Sequence, residues 1–203
     1  MMPVAPQPEP ASFQAKVRAP GQRWLFKTLY PTRALNLPVP SGTKFPPHWT
    51  KCLPEFHAAY GGICAYLGTH IELATGAASV DHFAPKSRAS GAAYEWENYR
   101  LACLDMNARK NHFTDLLDPF TLPPRVFLLV LTTGEMYLNP ALTDPVLTDA
   151  ARRTVARLQL DSAVKREMRS RLFAEYKAGT RPGPLMRRYH PYVWSEIERQ
   201  GQS

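Results

Sequence analysis

Residues 79–113 read SVDHFAPKSRASGAAYEWENYRLACLDMNARKNHF, and the fold turns on how they are read. Residues 79–83 are a candidate short strand, stopped by Pro85. Residues 99–104 (YRLACL) are the next strand candidate, and 107–113 make one or two helical turns. The polar residues recur at set places: Asp81-His82, Asn98 sixteen positions after His82, then Asn107 and Lys110 three apart. Asp81 offers a hard anionic oxygen and Asn107 a carbonyl oxygen, which suit Mg²⁺ or Mn²⁺. Such an ion can hold a phosphate oxygen and steady a departing 3′-oxygen. His82, with an intrinsic pKa of about 6.5, is mostly neutral at pH 7 and can take a proton from water. Lys110 lies one helical turn past Asn107 and is in reach of a phosphate. Successive strand residues face opposite ways, so Asp81 and His82 meet one ion only where the strand ends or bends.

Each residue also has a plainer reading. Asp81-His82 alone is an ordinary strand end, Asn107 alone a helix cap, and Lys110 and Arg109 surface charge. Lys86 and Arg88 follow the Asp-His pair, and a phosphate-tracking loop and a solvated loop fit them equally. The combined spacing resembles the HNH endonuclease family: Asp-His, a central Asn, then Asn or His followed three residues later by Lys. The resemblance implies a ββα-metal fold, with Asp81 and Asn107 as metal ligands and His82 as general base. It also implies that Asn98 braces the loop and orients His82, and that Lys86, Arg109 and Lys110 contact nucleic acid. VDHFAPKS, YEWENYRLAC, MNARK, LLDPF and the later ARRTVARLQLD are similar to a bacterial HNH subgroup related to the nuclease subunits of Septu-type and retron-linked antiphage defence. That likeness covers roughly residues 60–175 and implies DNA as target, with control by a partner such as a regulatory ATPase.

The family often carries two Cys-x₂-Cys pairs around a structural zinc. Here Leu67 follows Cys64 and Met106 follows Cys103 at the second Cys position. Two thiolates do not complete a tetrahedral site, so no structural zinc is expected and these four side chains should pack as apolar contacts. Some members place a further His ligand four residues after the Asn/His position. Asn111 stands there and His112 one residue later, which leaves a His112 contact with the metal open.

Working outward, the expected architecture is α+β: a small ββα-metal core over 60–115, a Pro-rich N-terminal segment, and a hairpin and helical C-terminal region. Residues 1–22 read as a flexible Pro-rich tail, and 23–59 as a wrap on the core. Pro38, Pro40, Pro46, Pro47 and Pro54 exclude long helices there. A short helix is expected over 55–60, stopped by Gly61-Gly62, and a strand over 63–69. Residues 126–131 and 135–138 flank Thr132-Thr133-Gly134 as a hairpin. Thr148 or Asp149 can cap a helix through Leu158, and Asp161 or Ser162 a second. In that second helix Val164, Met168, Leu172 and Tyr176 form an apolar stripe expected to face the core, with Lys165, Arg166, Arg169 and Arg171 on other faces. His48, His57 and His190 show no partner in sequence. So small a core buries too little surface by itself, so the flanks should pack on it as one compact unit.

The 203 residues are 44% hydrophobic and 21% charged, enough for a buried core and against global disorder. No apolar run approaches a membrane span; the longest is 126–131. The start lacks a basic segment followed by an apolar one, so no secretory signal is expected. Three cysteines without a paired framework point to a reducing compartment, most simply a cytoplasm. Net charge is +8, and residues 150–203 hold 12 Lys/Arg against 5 Asp/Glu. That excess suits a polyanion, above all nucleic acid, although a solvated helical face accounts for it equally well. Taken together, these features predict a metal-dependent DNA endonuclease. The alternatives are a non-catalytic nucleic-acid-binding or effector-complex subunit and an RNA-directed nuclease.

Overall fold

The computed structural model describes residues 1–30 and 39–203. Pro38 and part of the expected wrap therefore lie outside the described residues. The fold is α+β. Its contacts divide the chain into two compact units. A site unit comprises Pro6–Gly62 and Ile71–Thr114, and a helical unit Met1–Ala5, Ile63–His70 and Asp115–Ser203. Each has its own apolar core, which is why neither needs to be an appendage of the other.

In the site unit a π-helical turn, Gln14–Arg18, runs into α1 (Ala19–Thr28). Then come α2 (Leu53–Ala59), the strands β1 (Ala78–His82) and β2 (Tyr99–Cys103), and α3 (Leu104–Lys110). β1 and β2 pair antiparallel from Ala78↔Cys103 to His82↔Tyr99, and α3 follows β2 without a loop. Asn107 therefore sits inside the helix, four residues after its N-cap Cys103, and does not cap it. Asp105 in the first turn favours the helix dipole, and the positive φ of Asn111 (44°) ends the helix.

Aromatic side chains fill the core of this unit. Trp96 meets Phe13 and Phe56 edge-on, with centroids 5.4 and 4.9 Å apart, and Phe13 meets Tyr99 at 5.8 Å. Gly21 permits the closest approach: a Cβ there would lie 2.1 Å from Tyr94 Cγ. The reading of residues 1–22 as a flexible tail does not hold. Phe13 and Val17 are fully buried, and Trp96 Nε1 donates to Gln7 O at 2.7 Å. In the helical unit Met1 is buried and Val4 N donates to Pro119 O at 2.9 Å. Apolar anchors spaced between the prolines bury enough surface to order an extended segment.

The helical unit opens with residues 63–70. These form a tight loop closed by a single Ile63↔His70 bridge, not the expected strand, because Gly68 takes a positive φ of 60°. The hairpin β3 (Phe127–Val130) and β4 (Glu135–Leu138) pairs Val130 with Glu135 around the expected turn. Then come α4 (Pro145–Leu158), α5 (Ala163–Lys177), α6 (Gly183–Tyr189) and α7 (Pro191–Arg199). The outer edge of β3 is satisfied by side chains of the last helical segment: Leu129 N donates to Glu196 Oε2 at 2.9 Å, and Gln200 Nε2 donates to Leu129 O at 2.9 Å. α6 and α7 begin at Pro-containing first turns, and α7 buries Tyr192, Val193, Trp194 and Ile197.

The face of α5 differs from the expected stripe. Val164 is 75% exposed, while Lys165, Arg169 and Leu172 are buried. Arg169 decides the rotation. Its guanidinium donates to Gly134 O (2.6 Å), Leu160 O (2.9 Å) and Asp161 Oδ1 (3.2 Å), so it satisfies turn carbonyls that would otherwise be buried without donors. Two of the histidines left without partners in sequence have them here. His57 Nε2 lies 2.7 Å from Ile71 O, and His190 Nδ1 lies 2.5 Å from Thr69 Oγ1.

α4 starts earlier than expected, at Pro145, because Asp144 and not Thr148 or Asp149 is the cap. Its carboxylate accepts from Val146 N (2.8 Å) and Leu147 N (3.3 Å). Asp144→Ala is expected to cost about 1 kcal/mol of helical-unit stability, read as a lower urea midpoint at unchanged slope. Asp149→Ala should leave the midpoint in place. Equal shifts in the two variants would dismiss the Asp144 cap. Among the described residues no helix is long and apolar enough to cross a membrane.

Candidate active site

The site is built at the point where β1 stops. His82 is the last residue of β1, and the chain then turns through Phe83, Ala84 and Pro85, held by Phe83 N donating to Asn98 O at 2.9 Å. Asp81 and His82, the last two residues of β1, both line one cleft of about 530 Å³. Asn107 of α3 lines it too, together with Lys86, Trp49 and His112.

His82 is buried, and its ring is fixed on three sides. Nε2 donates to Ala93 O at 2.9 Å. A carbonyl only accepts, so Nε2 carries the proton and Nδ1 keeps its lone pair. Tyr99 and Trp49 meet the ring edge-on, with centroids 5.0 and 4.6 Å away. Burial lowers the His82 pKa to about 3, helped by the Lys86 and Lys110 charges and opposed by the Ala93 hydrogen bond. The imidazole is therefore neutral at pH 7 and able to accept a proton at Nδ1.

Asn107 is anchored by one end of its amide. Nδ2 donates to Ser79 Oγ (3.2 Å) and Val80 O (3.3 Å), which leaves Oδ1 as an acceptor on the cleft side of the pair. Asp81 is 2% exposed. A carboxylate this deep needs a countercharge, and Lys110 Nζ lies 4.0 Å from Asp81 Oδ1. One carboxylate and one amide oxygen on a shared cleft fit a hard divalent cation. Among the described residues no group of three or more His, Cys, Asp and Glu is placed to hold a metal. Cys64 belongs to the helical unit and Cys103 to the site unit, and neither is in a disulfide.

Three residues read as site residues from sequence have other positions. Asn98 does not line the cleft. It clasps the two ends of the connection between β1 and β2: Ala84 N donates to its Oδ1 (2.7 Å), and its Nδ2 donates to Ala84 O and Ala92 O (3.0 Å each). It thus braces the loop that carries Ala93 O, the acceptor of His82 Nε2. Lys110 is fully buried, donates to His82 O at 3.2 Å and lies 5.4 Å from the Phe83 ring, so no phosphate reaches it. Arg109 is away from the cleft, its Nε donating to Asp105 Oδ1 at 2.7 Å. Lys86 does line the cleft.

No protein-family model matches the chain, and no curated protein matches it. The site therefore stands on its own geometry. Trp49 was not among the residues read from sequence; the only signal was an aromatic residue after Pro46-Pro47, where a tight turn is expected. His112 is exposed on the cleft wall, its Nδ1 3.1 Å from Asn111 Oδ1.

Proposed function

We propose that this chain is a metal-dependent endonuclease of the HNH type, hydrolysing DNA phosphodiesters. The observation that carries the reading is the convergence of Asp81, His82 and Asn107 on one cleft, with Nδ1 of a neutral His82 left free to take a proton. The strand–strand–helix order and the spacing of Asp81, His82, Asn98, Asn107 and Lys110 support it.

In this reading Asp81 and Asn107 hold Mg²⁺ or Mn²⁺. A bound ion would supply charge neutralisation for phosphodiester hydrolysis. His82 accepts a water proton at Nδ1 as the water attacks phosphorus in line, and Nε2–H stays on Ala93 O throughout. Products carry 5′-phosphate and 3′-hydroxyl ends. Lys86 meets a phosphate oxygen from the cleft wall. Binding is mainly electrostatic, hence salt-sensitive and weakly sequence-specific. The sequence likeness adds a biological setting: an effector of bacterial antiphage defence in the cytoplasm, restrained by a partner such as an ATPase.

Supercoiled plasmid incubated with the protein should be cut with Mg²⁺ or Mn²⁺ and stay intact with EDTA. Asn107→Ala should raise the Mg²⁺ concentration for half-maximal cutting about tenfold, because one of two protein oxygens is lost. An unchanged Mg²⁺ titration would remove Asn107 from the ligand set. The same assay on RNA separates the RNA-directed alternative, and binding without cutting of either polymer would favour the non-catalytic one.

A further inference from the structure

Trp49 sits between two groups that the proposed reaction uses. It is set by a short turn: Thr50 Oγ1 donates to Pro47 O (2.8 Å), Cys52 Sγ donates to Trp49 O (3.1 Å), and Tyr94 OH donates to Pro46 O (3.0 Å). Tyr94 also packs beside the indole, with centroids 5.9 Å apart at 32°. Little freedom is left to this side chain. The His82 imidazole stands nearly perpendicular to the indole, at 85° and 4.6 Å. The Lys86 ammonium lies over the indole, 4.7 Å from the ring centroid.

An indole face attracts a cation through its quadrupole, and the attraction grows as water is excluded. Lysine otherwise has a long stem with many rotamers, and holding its ammonium in one place costs entropy. Here the stem starts at the turn after Pro85 and the head is caught on Trp49, inside the cleft that Asp81, His82 and Asn107 share. The ammonium therefore stands over the ring on the wall of this cleft, where an entering anion would meet it.

We propose that Trp49 is a positioning residue that docks the Lys86 ammonium on its indole face and holds the His82 ring edge-on, so that the cleft presents a fixed cation to a phosphodiester beside the proton acceptor. The catalytic part of this rests on the nuclease reading; the docking of Lys86 and its capture of a phosphate do not. Trp49 then touches neither metal nor proton and acts through two other side chains.

The test has two readouts. The first is binding of a thymidine dinucleotide, followed by ¹H–¹⁵N spectra of the full chain. Lys86→Met should weaken it about tenfold, and Trp49→Leu by a similar factor. The double variant should be no weaker than either single one, since the same docked cation is lost each time. Trp49→Phe, which keeps a smaller aromatic face, should restore most of the affinity. The second readout is plasmid cutting, where Trp49→Leu should raise KM through Lys86 and lower kcat through His82, while Lys86→Met moves KM alone. Dinucleotide binding that ignores Trp49→Leu, or additive losses in the double variant, would overturn the proposal. So would a Trp49→Phe protein as weak as Trp49→Leu. Coupled losses in binding with no cutting by the wild type would keep the Trp49–Lys86 pair and dismiss the nuclease.

Discussion

A His82→Ala chain is expected to bind DNA as well as the wild type and to cut it about 10³-fold more slowly. A positioned general base contributes about 10²–10⁴ in rate, and no neighbour can take its place. Asp81 is paired with Lys110, Asn107 faces the cleft with an amide, and His112 is an exposed residue of the wall with Nδ1 3.1 Å from Asn111 Oδ1. Affinity should hold because Lys86 and the rest of the cleft wall are untouched. Plasmid cutting and a filter-binding isotherm at one salt concentration read the two quantities. Wild-type cutting by His82→Ala would strip His82 of its role, and a parallel fall in binding would mean that the ring supports the cleft instead.

Removing the buried ammonium should have the largest effect on stability. Lys110→Met removes the ammonium 4.0 Å from the 2%-exposed Asp81 carboxylate and the Lys110 donor from the His82 carbonyl. Breaking a buried pair from one side costs about 3 kcal/mol or more, because the remaining charge stays desolvated. The urea midpoint of the site unit should fall accordingly. The double variant Asp81→Asn/Lys110→Met should recover most of the loss, since an uncharged pair has no desolvated ion to penalise. Lys110→Met should also keep the salt dependence of DNA binding, because its ammonium never meets a phosphate. A shallower salt slope would return Lys110 to the surface role read from sequence. A midpoint shift under 0.5 kcal/mol, on the order of a surface substitution, would show the pair to be weak.

Local rules exposed much of this molecule. The stop at Pro85 bounds β1, the apolar run YRLAC marks β2, and Thr132-Thr133-Gly134 between two apolar segments marks the hairpin. The grouping of Asp81, His82 and Asn107 was legible because their spacing matches a strand end followed by a helix. What sequence hid was tertiary. Hydrophobicity placed Val164 inside and Arg169 outside, yet backbone carbonyls at Gly134 and Leu160 demanded a donor, and the arginine supplied it. Lysine at 110 looks like a solvent residue until a buried carboxylate is found beside it. Trp49 is 33 positions from His82, and nothing local to either residue marks their contact. The prolines near the start suggested looseness, because the partners that bury Phe13 among them, Trp96 and Tyr99, lie far along the chain.

The oxygen of Ala93 receives both the His82 Nε2 proton and the Tyr99 hydroxyl, the latter at 3.0 Å. Being part of the peptide chain, it is present whichever amino acid occupies position 93. Point mutation at that position therefore has no direct way to swap which imidazole nitrogen is protonated. A change of tautomer has to come from displacing the whole 83–98 connection, and the clasp made by Asn98 resists that displacement. Selection acting on this centre can alter what enters the cleft far more readily than it can alter the direction in which the proton moves.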